Sequence, residues 1–359
     1  MGDTGVSLEK EERMIYTKIE YRQKEGKQMK VFDMHCDTIS AIYEKRKCNE
    51  RLELRENNLH LDIEKMKKGD YGLQTFALFV DKEAQKDSFQ TAQEMLMLFQ
   101  KEIKKNSQEI AQVFTYKDIE ENEKNGKISA LLSLEEGAIY EQEPGMLYKF
   151  YEQGVRMATF TWNYENDLGY PNRFYNPLEQ KVWSVGETAG LKEKGFEMLE
   201  EMEELGIIPD VSHLSDGGFY DVAKYAKRPF LASHSNARSI APNAARNLTD
   251  DMIRILAEKG GVMGLNFCVS FVREHWKPNE EGALLSELVR QIKYIIHVGG
   301  EECLGLGSDF DGIEEVPPEM KNAEGLPFLA EAMEKEGIPY SQIEKVFFKN
   351  VKRFLKENL

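Results

Sequence analysis

VFDMHCD, residues 31–37, carries an apolar run into His35 and Asp37, two side chains of the kind that bind divalent metals. Four other runs end in the same way: LLSLEE at Glu135, IIPDVSH at His213, FLASHS at His234 and LGLGSDFDG at Asp309. Short apolar runs bounded by polar residues read as strands buried on both faces. Neutral imidazole and carboxylate suit hard and borderline divalent cations such as zinc. The repeated pattern therefore points to a metal site assembled from strand ends.

Outward from that first run, the chain alternates between strand and helix patterns. Strands are expected near Lys30–Met34, Gly72–Val80, Ile128–Leu134, Val155–Thr161, Ile207–Val211, Phe230–Ser233, Gly261–Asn266 and Cys303–Ser308. Between them lie helical stretches such as ETAGLKEKGFEMLEEMEELG, with Leu191, Phe196, Leu199 and Met202 on one face. In LTDDMIRILAEKGG, Thr249 can cap the helix and Gly260 can stop it. Eight strands alternating with helices imply a single (β/α)8 TIM barrel, with an open doubly wound sheet as the lesser option. Two helical stretches, around Leu326–Lys335 and Tyr340–Lys356, close the chain. In such a barrel the loops after the strands share one face, and active sites sit there. His35, Glu135, His213, His234 and Asp309 would then converge from the first, third, fifth, sixth and eighth strands.

The 359 residues allow two average domains, but the order of elements favours one, spanning 30–359. Residues 1–29 read as a charged extension, either a solvated helix or sequence upstream of a true start at Met29. With 47 Lys plus Arg against 63 Asp plus Glu, the net charge of −16 repels phosphate backbones and anionic headgroups. Nucleic acid and membrane partners are not expected. No run approaches the ~20 apolar residues of a membrane span, and no signal-peptide core is visible. The four cysteines, Cys36, Cys48, Cys268 and Cys303, form no C-x-x-C pair, which fits a reducing compartment, with the cytoplasm as default.

His35 and Asp37 are two residues apart, so at strand periodicity both point to one side and could grip one ion. His213 and His234 end adjacent strands and would hold a second, while a carboxylate with two oxygens at Glu135 could bridge. Its neighbour Glu136 competes for that role, and spacing alone does not choose between them. A water shared by two such ions becomes hydroxide near neutrality, which implies hydrolysis. Each histidine alone reads first as a hydrogen-bonded structural group, and Cys36 as core packing. His60, His275 and His297 sit in helical or loop contexts, where the structural reading wins.

The segments VFDMHCDTI, SLEEGAI, GIIPDVSHLS, RPFLASHSNARSI, ARNLTDD, GGVMGLNF and GLGSDFDGI resemble the renal (membrane) dipeptidase family of zinc dipeptidases, within the amidohydrolase superfamily. The likeness runs from about Met29 to the region of Asn350. It implies a barrel holding two zinc ions, with His35 and Asp37 on one, His213 and His234 on the other, and Glu135 between them. It further implies that Arg246 receives a dipeptide's terminal carboxylate, for which a planar guanidinium is well shaped. Asp309 would manage the proton of the attacking water, with Asp311 structural. Where the family has a substrate-contacting histidine after the fourth strand, this chain has Trp162 and then Asn163, and Asn163 could donate a hydrogen bond in its place. The junction Phe348-Lys349-Asn350 departs from a family Gly-Gly and is expected to affect only a helix junction. The function expected is a metal-dependent dipeptidase, with a homodimer possible because related barrels often dimerise. Rivals are a binuclear amidohydrolase acting on an N-acyl amino acid or lactone, and a metal-stabilised binding protein.

Overall fold

The computed structural model describes residues 29–141, 145–176, 181–184, 188–273, 284–314 and 316–359. The charged extension up to residue 28, and His275, lie outside them. The barrel strands are β1 Val31–Cys36, β2 Tyr71–Phe79, β3 Ile128–Glu135, β4 Val155–Thr159, β5 Ile208–Asp210, β6 Leu231–Ala232, β7 Val262–Leu265 and β8 Leu304–Leu306. Each pairs in parallel with the next, from Val31↔Tyr71 through Leu265↔Leu306, and Asp33↔Leu306 closes the ring between β8 and β1. The closed parallel barrel is thus the observed architecture, and the open sheet is excluded.

Strand β3 shows why the apolar runs form such a barrel. Ala130, Leu132 and Leu134 pack outward into the large core shared with the helices, while Leu131 joins a second cluster with Leu73, Met157, Ile208, Leu231 and Val262. Two-residue alternation therefore carries Ser129, Leu131, Ser133 and Glu135 to the inner side. The chain's end seals this inner cluster: Val351, Phe354 and Leu355 belong to it, and a Cβ at Gly305 would lie 2.5 Å from Val351 Cγ2.

Several boundaries differ from the sequence expectation. β1 extends through His35 and β3 through Glu135, so both residues are held within strands rather than after them. A short strand, Ile110–Gln112, adds to the start of β3, and Arg173–Asn176 pairs with Lys181–Ser184 as a hairpin after β4. The helix expected around Leu191 runs over Glu193–Leu205 and buries Gly195, Met198, Leu199 and Met202. Leu191 lies before it, in a bridge to Gly169. Thr249 does cap its helix, accepting from Met252 N, and Gly260 follows it at φ 77°. At the C-terminus a five-residue π turn, Lys345–Lys349, joins Tyr340–Glu344 to Asn350–Asn358, and the buried Asn350 amide donates to the carbonyls of Glu301 and Leu304. No helix among the described residues is long and apolar enough to cross a membrane.

Candidate active site

Six side chains from five strands meet at the C-terminal mouth of the barrel. His35 Nε2 lies 3.2 Å from Asp37 Oδ2 and 3.2 Å from Glu135 Oε2. Glu135 Oε1 lies 3.0 Å from His213 Nε2 and 3.7 Å from His234 Nε2, so the two oxygens of one carboxylate face two groups of ligand atoms. His213 and His234 bring their Nε2 atoms to 2.9 Å, and the His35 and His234 rings stack at 3.8 Å. Asp309 Oδ1 stands 3.8 Å from His35 Nε2. All of these residues are less than a tenth exposed.

Around them the backbone is held by buried polar residues placed inside the apolar runs. Asp210 accepts from the amides of Ser212 and Ser233, tying the ends of β5 and β6 together just before His213 and His234. Asp33 does the same for β1 and β8 through the Ser308 amide and hydroxyl. Gly307 lets β8 approach β6, since a Cβ there would fall 1.8 Å from the Ser233 carbonyl oxygen. His213 at φ 68° and Asp309 at φ 63° occupy left-handed backbone without being glycine, a strain that clusters at functional sites.

The ring orientations follow from hydrogen bonds on the other nitrogen. His234 Nδ1 meets Ser233 Oγ at 2.7 Å and His213 Nδ1 meets Asn163 Oδ1 at 3.1 Å, which leaves both Nε2 atoms aimed at the cluster. Asp309 Oδ2 accepts from Asn266 Nδ2 at 2.8 Å. Asp37 Oδ1 is buried with no hydrogen-bond partner among the described residues. Burial, opposed by the His35 ring and reinforced by the Asp37 charge, pushes the Glu135 carboxyl up to about 7. The same causes push Asp309 up to about 6. Burial, then the charges of His35, Arg246 and His213, hold His234 well below its ordinary range. Acceptor atoms packed this closely need cations between them, and the oxygen and nitrogen donors fit divalent metal. Three overlapping groups have their ligand atoms within 4.8 Å: His35, Asp37 and Glu135; Glu135, His213 and His234; His35, His234 and Asp309.

A cavity of about 820 Å³ opens over this cluster, lined among others by Asp37, Glu135, Trp162, Asn163, His213, Arg246 and Asp309. The sequence candidates therefore come together there. The family model for membrane dipeptidases, peptidase family M19, matches residues 22–358. The chain belongs to that family. An uncharacterized dipeptidase of Schizosaccharomyces pombe is 29% identical over 321 residues, covering 84% of this chain and 73% of the relative. A crystal structure of a Rhodobacter sphaeroides metallopeptidase, liganded with a phosphinate mimic of the dipeptide L-Ala-D-Ala, superposes with a TM-score of 0.81 at 26% identity, over 92% of this chain and all of that one. The dipeptidase AC, also of family M19, gives 0.83 at 26% identity over 92% of this chain and 99% of its own. Membership of the M19 family makes this chain a metallopeptidase and hence a hydrolase.

Within the M19 frame, the structure separates neighbours that spacing left open. Glu136, fully buried at φ 98°, turns away from the cluster and accepts from the amides of Ala138 and Trp162 and from Asn166 Nδ2. Asp311 is bound by Thr38 Oγ1, at 2.6 Å, and by the His60 amide. Asn163, expected to donate to substrate, lines the cavity and presents its oxygen to His213, an arrangement that keeps Nδ2 as a donor. Arg246 is 3% exposed, reaches the His234 carbonyl through Nη2 at 3.2 Å and lies over the Phe271 ring. Sequence reasoning passed over Asp33, Asp210, Ser233 and Asn266, although acids and hydroxyls interrupting buried strands were a visible signal.

Proposed function

We propose that this chain is a metal-dependent dipeptidase holding two zinc ions, one on His35 and Asp37, one on His213 and His234, with Glu135 shared. The observation that carries the reading is the pair of Glu135 oxygens, one facing His35 and the other facing His213 and His234. Cations held by these residues would supply a water acidic enough to attack at neutral pH and a Lewis acid for the carbonyl. Arg246 accepts the free carboxylate of a short peptide, its buried guanidinium making a charge-assisted contact. Asp309, held by Asn266 and pushed up to about 6, is suited to take the proton of the attacking water and deliver it to the leaving amine. A cavity lined by both the ligand cluster and the Arg246 guanidinium suits substrates with a carboxylate close to the scissile bond, which favours dipeptides over long chains. The domain is proposed to span 30–359, and the negative net charge is consistent with a cytoplasmic enzyme free of nucleic acid.

The test is a dipeptide panel run beside N-acyl amino acids and lactones with zinc-reconstituted protein, with metal content measured on the same sample. Dipeptide hydrolysis, lost on chelation and restored by zinc, is the expected result. Turnover of lactones or acyl amino acids alone, with about two metal ions bound, would sink the dipeptidase reading.

A further inference from the structure

Three aromatic residues line the cavity; Phe271 lies under the Arg246 guanidinium, while Phe79 and Trp162 sit where no polar chemistry requires them. Phe79 is the last residue of β2 and Trp162 lies just past β4; both are partly exposed, both line the cavity, and their rings approach to 4.7 Å. Trp162 also stands edge-on to Tyr164 at 5.5 Å and tilts towards His213 at 6.2 Å, so its ring borders the proposed metal cluster. The Trp162 backbone is fixed by the bond from its amide to Glu136 Oε2 at 3.0 Å, so the ring is mounted on a held segment. Apolar surface left open inside a cavity beside precisely oriented polar groups marks where a ligand's apolar part packs.

Strand order says which part. Arg246 follows β6, and β2 lies across the closed ring from β6. A dipeptide whose carboxylate is at Arg246 and whose amide lies over the cluster therefore directs its N-terminal residue towards β2, where the Phe79 ring meets that of Trp162. We infer that Phe79 and Trp162 form the subsite for the N-terminal side chain and make the enzyme selective for aromatic or large aliphatic residues there. This inference rests on the dipeptidase reading. The competing feature is the acidic rim of Glu44, Asp81 and Glu314, which would favour a basic side chain. Glu44 already accepts from Lys47 and Gln85, and Asp81 from the Glu83 amide, so those carboxylates are partly engaged.

The experiment compares kcat/KM for Phe-Gly, Leu-Gly, Ala-Gly and Lys-Gly, and for the reversed Gly-Phe, in wild type, W162A, W162F and F79A, with metal content measured for each. Wild type is expected to favour Phe-Gly and Leu-Gly over Ala-Gly by at least about tenfold, an ordinary yield for one apolar pocket. That ratio should collapse in W162A and F79A and survive in W162F. Two variants on separate strands guard against one that fails to fold. A flat profile, a preference for Lys-Gly, or selectivity that appears only for Gly-Phe overturns the subsite and leaves the dipeptidase reading standing. Failure to cleave any of these peptides with metal bound overturns both.

Discussion

Asp309 is a carboxylate that two opposed influences prepare for proton traffic: burial raises it, and the Asn266 amide gives its ionised form a partner. Replacing it with asparagine keeps the shape and removes the exchangeable proton. Asp309→Asn is expected to retain its metal and lose at least ~100-fold in kcat, the ordinary yield of a positioned acid–base group. Wild-type turnover would remove the role. Arg246→Ala should instead act on binding, raising KM by ~10- to 100-fold for substrates with a free carboxylate, as expected for a charge-assisted hydrogen bond worth ~1.5–3 kcal/mol. A carboxamide-capped dipeptide should show little of that difference, and an equal effect on both substrates would refute carboxylate recognition. Asn163 acts through His213, whose Nδ1 it holds at 3.1 Å. Losing such a partner typically costs 10- to 100-fold in metal affinity, so Asn163→Ala should lose one ion first in a chelator competition.

At the scale of elements, what was legible and what was not divide along a physical line. The eight buried strands were visible because each is a short apolar run, and the ligand residues because each run ends in a metal-binding type. The strand ends were misjudged at His35 and Glu135 because a residue whose side chain turns polar can still belong to the ladder, and sequence shows the side chain rather than the backbone pairing. Ile110–Gln112 was missed because three residues carry too little pattern. The choice between Glu135 and Glu136 is made by alternation along β3, which sends the first inward, and by a positive φ, which sends the second to the Trp162 loop. No residue type announces that. Equally silent is Gly307, whose missing side chain lets β8 meet the Ser233 carbonyl. Gly307→Ala must push two central strands apart, and overpacking of that kind should lower stability by ~1–3 kcal/mol or more. A urea midpoint equal to wild type, with unchanged slope, would show that the strands yield more easily than this packing allows.

For the whole molecule, the cluster opposes folding until cations arrive, because three acids and three imidazoles are gathered out of water. The sign of its pH dependence follows. Burial raises Glu135 from 4.5 to about 7, and the charges of Glu135 and Asp37 overcome burial to raise His35 well above 6.5. Both groups then hold protons in the folded metal-free protein that the unfolded chain has released, so stability falls as pH rises through their folded values. His234 has the opposite sign, but a depressed imidazole acts only below its ordinary value of 6.5. Between about pH 6.5 and 8 the raised groups act unopposed within the cluster. The chelated protein should therefore lose thermal stability across that interval. Zinc, which binds only the deprotonated ligands, should bind more tightly as pH rises and add ~2.7 kcal/mol once free metal reaches 100 times its Kd. Thermal midpoints of chelated and zinc-loaded protein should consequently diverge from pH 6.5 to 8, and titration calorimetry in buffers of different ionisation enthalpy should record protons released on binding. Parallel curves with no proton release would mean that the ligands are already deprotonated without metal, which the mutual repulsion of Asp37, Glu135 and Asp309 in a buried site makes costly.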